Sequence, residues 1–217
     1  MAKRAPAPVN ARPSPPDGLG EILADGRFAA SPAPAPELGK WARDMVLAVD
    51  GPLHNPEHAH LIDGNIEFLW AASGFEKQGR LVLGQAEQVM FRAGGWQKLR
   101  QVQQMEEWFG RVPAFLITVS AAFCRECSDA DFCALIEHEL YHIAQDTDQY
   151  GAPAFTTEGL QRLKLRGHDV EEFVGVVRHY GASAEVQRLV DAAKGGPEVA
   201  KLNVVARACG TCLLRAA

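Results

Sequence analysis

The sequence has no long apolar run and no excess of positive charge, and each absence argues against a class of function. No run reaches the roughly 18 uninterrupted apolar residues that a membrane-spanning helix needs, so no membrane partner is expected. Lys3 and Arg4 are not followed by the apolar segment of an export signal, which indicates a cytoplasmic protein. The formal net charge of −5 disfavours nucleic acid as the main partner without excluding it, because phosphate-binding surfaces usually carry a basic excess.

Cysteine is also scarce, with five residues in 217. In a chain without an export signal, such residues are expected to be thiols or metal ligands rather than disulfides. Cys124 and Cys127 form one C-x-x-C pair, and Cys209 and Cys212 form another. The four could hold a structural zinc, but the pairs lie much further apart than the roughly 15 to 20 residues typical of a zinc ribbon. Small buried thiols are therefore the favoured interpretation, and Cys133 is expected to serve packing.

Proline is concentrated at one end of the chain. Eight of the thirteen prolines lie in residues 1–36, among many alanines. Such a composition buries too little apolar surface to offset the entropy of ordering. The sequence therefore predicts a disordered tail over residues 1–36 and a single domain over residues 37–217 that ends in a C-x-x-C extension.

The domain alternates helical and strand-like patterns, which predicts the α+β class. A first amphipathic helix is expected from Glu37 onward. Strand-like runs bounded by turn residues follow at 65–73, 79–89 and 113–123. Residues 96–109 are expected to form a polar helix or a long connection.

A second helical stripe runs from Phe132 to Ile143 and holds the most informative residues of the sequence. Ser128 and Asp131 have the spacing of a capping pair at its start, and Gly151 is the expected stop. Two further helices are expected at 169–181 and 183–195.

This stripe contains the pattern H-E-x-x-H, formed by His138, Glu139 and His142. Histidines four residues apart lie on the same side of a helix, so their imidazoles can reach one metal ion. Glu139 lies beside them and could take a proton from a metal-bound water. Imidazole ligands make zinc the expected ion. The alternative interpretation is a pair of surface histidines without a metal.

A catalytic zinc needs a third protein ligand from elsewhere in the chain. The favoured candidate is His168, in "RGHDVEEF", because it directly precedes the expected helix at 169–181 and can turn towards the first two histidines. Glu171 and Glu172 are the alternatives. Glu172 also has the spacing of a helix-capping residue, and Glu171 could instead hold a ligand imidazole in place.

The segments "FLITVSAAFCRECSDADFCALIEHELYHIAQ" and "GHDVEEFVGVVRHYG" resemble the phage metallopeptidase family, small zincin-like proteins of phages and prophages. More distantly, they are similar to the SprT-like zincins, although Asp169 stands where that pattern has glycine. The resemblance covers about residues 60–181. It implies a zincin-like fold, with a small mixed β-sheet packed on the H-E-x-x-H helix. It also implies a zinc ion bound by His138, His142 and His168, with Glu139 as the catalytic base.

Three predictions concern the surroundings of the motif. Residues 115–120 could form an edge strand that binds an extended peptide by strand addition. His54, His58 and His60 lie in a turn-rich segment and are expected to be solvated. Candidates for stabilising the oxyanion of a tetrahedral intermediate are Tyr141, Tyr150, Arg178, His179 and Tyr180.

The sequence thus predicts a zinc-dependent peptidase that cuts protein or peptide substrates in the cytoplasm, of the bacterial host if the chain is phage encoded. Two alternatives stay open. In a non-catalytic interaction module, Glu171 or Glu172 would supply a fourth ligand and close the metal site. A nucleic-acid accessory protein would instead carry a cysteine zinc site near the C-terminus. The sequence determines neither the substrate nor the oligomeric state.

Overall fold

A four-stranded sheet forms the centre of the fold in the computed structural model, which describes residues 12–21, 31–170, 177 and 180–196. In spatial order its strands are β1 (Ala33–Pro34), β2 (Ile66–Ala71), β6 (Phe115–Ser120) and β5 (Gly84–Gln88). Two hairpins complete the described strands, β3 (Phe75–Lys77) with β4 (Arg80–Val82) and β7 (Ile143–Gln145) with β8 (Leu163–Leu165).

The described ranges contain five α-helices: α1 (Pro36–Ala42), α2 (Gly95–Phe109), α3 (Ala121–Glu126), α4 (Asp129–Tyr141) and α5 (Ala184–Gly195). A π-helical turn (Arg43–Leu47) and a 3-10 helix (Pro56–Leu61) connect α1 to β2. The expected α+β class is confirmed, and residues 96–109 belong to a helix. The helix expected at 169–181 lies largely outside the described residues. No helix within the described ranges is long and apolar enough to cross a membrane.

Strand β6 lies inside the sheet, parallel to β2 on one side and antiparallel to β5 on the other. The prediction that residues 115–120 form an edge strand is therefore wrong. The physical reason is that other strands occupy both edges of β6, a pairing that its own nearly continuous apolar run, with five of six residues buried, does not specify. Such a run is typical of a strand covered on both faces. Among the described strands, β5 is the outer one on this side of the sheet.

Alternate residues of the two central strands point into two apolar layers, as the pleat of a strand requires. Phe68 and Ile117 belong to the larger layer, which also contains residues of α1 and α4. Leu69 and Leu116 belong to the smaller layer, with Met105 of α2. The buried apolar residues of α4 are Phe132, Leu135, Ile136 and Leu140. Helix α4 is thus fixed on one face of the sheet by its apolar side.

Part of the segment that the sequence assigned to a tail belongs to the sheet. Ala33 and Pro34 form β1 and pair with Trp70 and Leu69 of β2. Ala35 is fully buried in the larger apolar layer. The ordered fold therefore begins before residue 37.

Arg12 attaches a further part of that segment to the start of α4. Its guanidinium donates to the carbonyl of Cys127 at 3.0 Å and lies 3.2 Å from the carboxylate of Asp129. It also stacks 5.2 Å from the centre of the Phe132 ring. These contacts are at the end of α4 opposite to His138, so the segment supports the helix away from the candidate site.

Candidate metal centre

Helix α4 begins with the predicted cap. The hydroxyl of Ser128 accepts a hydrogen bond from the backbone N–H of Asp131 at 3.1 Å and donates to the Asp131 carboxylate at 2.8 Å. The last turn of the helix carries His138 and Glu139, and His142 is the C-cap residue, still with right-handed helical backbone angles. The spacing of four residues therefore keeps the two imidazoles on one side, with ring centres 5.1 Å apart.

The helix ends at Tyr141, well before the predicted stop at Gly151. The chain instead turns at His142 into β7, which pairs with β8. Arg166, directly after β8, takes over the hydrogen bonds that a longer helix would have made. Its side chain donates to the carbonyl of Tyr141 at 2.7 Å, and its backbone N–H donates to the carbonyl of His142 at 2.9 Å.

This β7–β8 hairpin is what brings the distant histidine to the helix. Asp146 accepts from Arg162 and Lys164, each at 2.8 Å, and these ion pairs join the two strands. The hairpin returns the chain to the end of α4, and His168 follows three residues after Leu165. The loop position predicted for His168 is therefore correct, although a hairpin absent from the sequence prediction creates it.

The three histidines face one another with the spacing of metal ligands. The Nε2 atom of His138 lies 3.3 Å from that of His142 and 3.2 Å from that of His168. Tetrahedral zinc with Zn–N bonds of about 2.0–2.1 Å would hold its ligand nitrogens about 3.3–3.4 Å apart. The donor set is imidazole nitrogen throughout, which suits zinc. The three residues could thus hold one metal ion.

The hydrogen bonds of His142 fix its orientation and its tautomer. Its Nδ1 lies 2.9 Å from the carbonyl oxygen of Arg166, and the residue is only 2% exposed. A carbonyl can only accept, so Nδ1 carries a hydrogen, and in the neutral imidazole the lone pair is then on Nε2. That lone pair is on the atom facing His138. Such an outer hydrogen bond is the usual way in which a protein orients a metal-binding imidazole.

Glu139 is completely buried between α4 and the edge strand β5. Strand β5 reaches the carboxylate at Gly84. A Cβ atom added to this glycine would lie 2.6 Å from Oε1 of Glu139 and 2.9 Å from Cδ1 of Leu135. The absence of a side chain at Gly84 therefore allows the strand backbone to approach the carboxylate.

We expect Gly84→Ala to lower the free energy of unfolding by about 1–3 kcal/mol, since the added methyl group overpacks this contact. Chemical denaturation would measure the change. Gly195→Ala is the matched control, because an added Cβ at Gly195 meets nothing within 4 Å. Equal stability of Gly84→Ala and wild type would show that the carboxylate is not confined by the strand.

A cleft at the end of α4 is lined by the three histidines together with Glu57, Tyr141, Arg166, Gly167 and Asp169. Of the five oxyanion candidates, Tyr141 lines this cleft. Tyr150 and Tyr180 are largely exposed to solvent, at 85% and 87%. Arg178 and His179 lie outside the described residues. Burial, followed by the hydrogen bond to Glu57, raises the pKa of Tyr141 to about 12, so its phenol is protonated at neutral pH.

The histidines of the 54–60 segment support the end of α4 from the other side. The prediction that they are solvated is wrong for His58, which is fully buried with its ring 4.3 Å from that of Tyr141. Nε2 of His60 donates to the carbonyl of Ile143 at 2.8 Å. Asn55 and Pro56, a capping residue followed by proline, are a helix-start signal that could have indicated this ordered turn.

The cysteines of the described residues form no part of the three-histidine group. Burial, with the neighbouring Cys127 thiol as a smaller cause, raises the pKa of Cys124 to about 12, so this thiol is neutral. Cys209 and Cys212 lie outside the described residues, so the cysteine zinc site stays an untested alternative. The same holds for the alternative ligands Glu171 and Glu172.

Comparison with protein-family models matches residues 39–194 to the family described as "Putative phage metallopeptidase". The matched range contains the central sheet from β2 onward, α4, the β7–β8 hairpin and all three histidines. No curated protein and no solved structure matches the chain. The family resemblance noted in the sequence is thereby confirmed over more than half of the chain, which belongs to the phage metallopeptidase family.

Proposed function

We propose that this protein is a zincin-like, zinc-dependent peptidase in which His138, His142 and His168 hold the metal and Glu139 is the catalytic base. The observation that carries the proposal is the spacing of the three Nε2 atoms, 3.2 Å and 3.3 Å from His138. Membership of a metallopeptidase family implies a metal cofactor and protein substrates, which fits this assignment.

The chemistry divides between the ion and Glu139. A zinc ion held by the three histidines would lower the pKa of a bound water to about 7 and would polarise the scissile carbonyl. Glu139 follows His138 in the chain and would accept the water's proton, then pass it to the leaving amine. Its burial against Gly84 holds the carboxylate in one place, which favours proton transfer along a fixed path.

The edge strand β5 gives an extended substrate a place to bind. It runs antiparallel to β6 and packs beside α4, with its first residue, Gly84, next to Glu139. A peptide that adds to β5 as a further strand would pass the catalytic carboxylate. In this proposal β5 takes the role that the sequence had suggested for residues 115–120.

The test is hydrolysis of an unfolded protein, such as casein, by the zinc-loaded chain. We expect cleavage to stop when a chelator removes the metal and to return when zinc is restored, because a metal-bound water would be the nucleophile. Mass spectrometry of the products would locate the cut bonds. Cleavage that persists in chelator would contradict the proposal, and bound zinc without any cleavage would favour the non-catalytic interaction module.

A further inference from the structure

We propose that Glu57 makes the cleft selective for peptides that carry a cationic group, either a free amino terminus or a lysine or arginine side chain, near the bond to be cut. This inference rests on the proposed peptidase function and adds a substrate class to it. Its basis is a carboxylate that lies in the same cleft as the three histidines and is oriented by neutral partners.

The backbone that carries Glu57 is tied to the metal-binding end of α4. Glu57 lies in the first turn of the 3-10 helix, and its N–H donates to the side chain of Asn55 at 3.0 Å. The same helix is joined to β7 by the hydrogen bond from His60 to the carbonyl of Ile143. Since Ile143 follows His142 directly, the position of Glu57 is coupled to that of a candidate metal ligand.

The carboxylate itself is held by Tyr141. The phenol donates to Oε2 of Glu57 at 2.7 Å and accepts from the amide of Asn55 at 2.8 Å. The hydroxyl proton of Tyr141 is thus engaged in the hydrogen bond to Glu57, which makes Tyr141 a positioning residue in this arrangement. A neutral phenol orients the carboxylate without cancelling its negative charge.

The second acid of the cleft already has a cation. Asp169 is bound by the guanidinium of Arg166 at 2.9 Å. None of the ion pairs found between described residues includes Glu57. Of the two acids that line the cleft, Glu57 is therefore the one whose charge is left for a ligand.

An ammonium or guanidinium group matches this carboxylate chemically. Either group can donate hydrogen bonds to it, and such charge-assisted bonds are about twice as strong as neutral ones. A peptide with a neutral side chain in the same place gains nothing from the charge. Because Glu57 is exposed and exposed ion pairs are weak, we expect a preference of about two- to fivefold for the cationic peptide.

The test measures binding of short alanine-based peptides with a C-terminal fluorophore to the zinc-loaded Glu139→Gln protein, in which peptides would stay uncut. Each peptide carries lysine or norleucine, with a free or an acetylated amino terminus. Fluorescence anisotropy should show tighter binding of one cationic form. The comparison of lysine with norleucine tests the side chain, and the comparison of free with acetylated peptides tests the amino terminus. Adding Glu57→Gln should remove this preference. Glu126→Gln, at an exposed acid of α3 that is not a cleft residue, should keep it.

Two further measurements separate this role from others. Tyr141→Phe should weaken the preference in part, because the charge stays but its orienting hydroxyl is lost, while zinc content stays unchanged. The inference is overturned if cationic and neutral peptides bind alike, if the preference survives Glu57→Gln, or if Glu57→Gln loses zinc, which would make Glu57 a metal ligand. Charge-selective binding without hydrolysis by wild type would remove the peptidase proposal and keep the role of Glu57.

Discussion

Replacing Glu139 by glutamine is expected to lower the rate of peptide hydrolysis by about 10²–10⁴-fold and to leave zinc bound. Glutamine fills the same buried space beside Gly84 but cannot accept the proton of the water. The three proposed ligands are unchanged, so zinc should stay bound. Hydrolysis rate and zinc content should be measured on the same preparation.

The control for this change is Glu126→Gln, which removes one exposed carboxylate from α3. It should hydrolyse peptides at the wild-type rate. If Glu139→Gln kept its activity within a few-fold, another residue would be the base. If it lost its zinc, the role of Glu139 would be structural, and the loss of activity would say nothing about proton transfer.

His142→Ala is expected to destabilise the protein more than His168→Ala, although both should lose zinc. His142 is 2% exposed, and its removal leaves the carbonyl of Arg166 without this hydrogen bond and opens a space beside the helix end. Loss of one buried partner costs about 1–3 kcal/mol. For a domain of this size, each kcal/mol lowers Tm by about 2–4 °C. His168 is much more exposed than His142, so its removal should cost less.

Thermal unfolding with chelator and with added zinc checks both parts of this prediction. In chelator, the metal-free His142→Ala protein should melt below His168→Ala. Added zinc should raise the Tm of wild type alone, because a ligand stabilises only a fold that binds it. Zinc-dependent stabilisation of either variant would show that its histidine is not needed to hold the metal.

Local sequence signals predicted the helix that carries the site. The apolar stripe, which is helical in the structure from Phe132 to Leu140, and the cap formed by Ser128 and Asp131 depend on residues a few positions apart, and both are present. The common direction of His138 and His142 follows from the same local geometry. These features could be predicted because helical periodicity is a property of the chain alone.

Features that depend on distant segments could not be predicted. The early end of α4 is set by Arg166, which supplies the hydrogen bonds for the carbonyls of Tyr141 and His142 from 25 and 24 residues away, respectively. The interior position of β6 results from pairing with β2 and β5, which local alternation does not specify. For the same reason the sequence indicates a solvated loop position for His58. Its burial depends on contact with Tyr141 of α4, which is distant in the chain.

The most direct test of the three-histidine site is the zinc content per chain of wild type and of His168→Ala, purified without chelator and measured by elemental analysis. The account predicts that His168→Ala holds one zinc fewer than wild type, because two imidazoles alone retain the ion weakly. Wild type without zinc, or an equal zinc content in the two proteins, would contradict it.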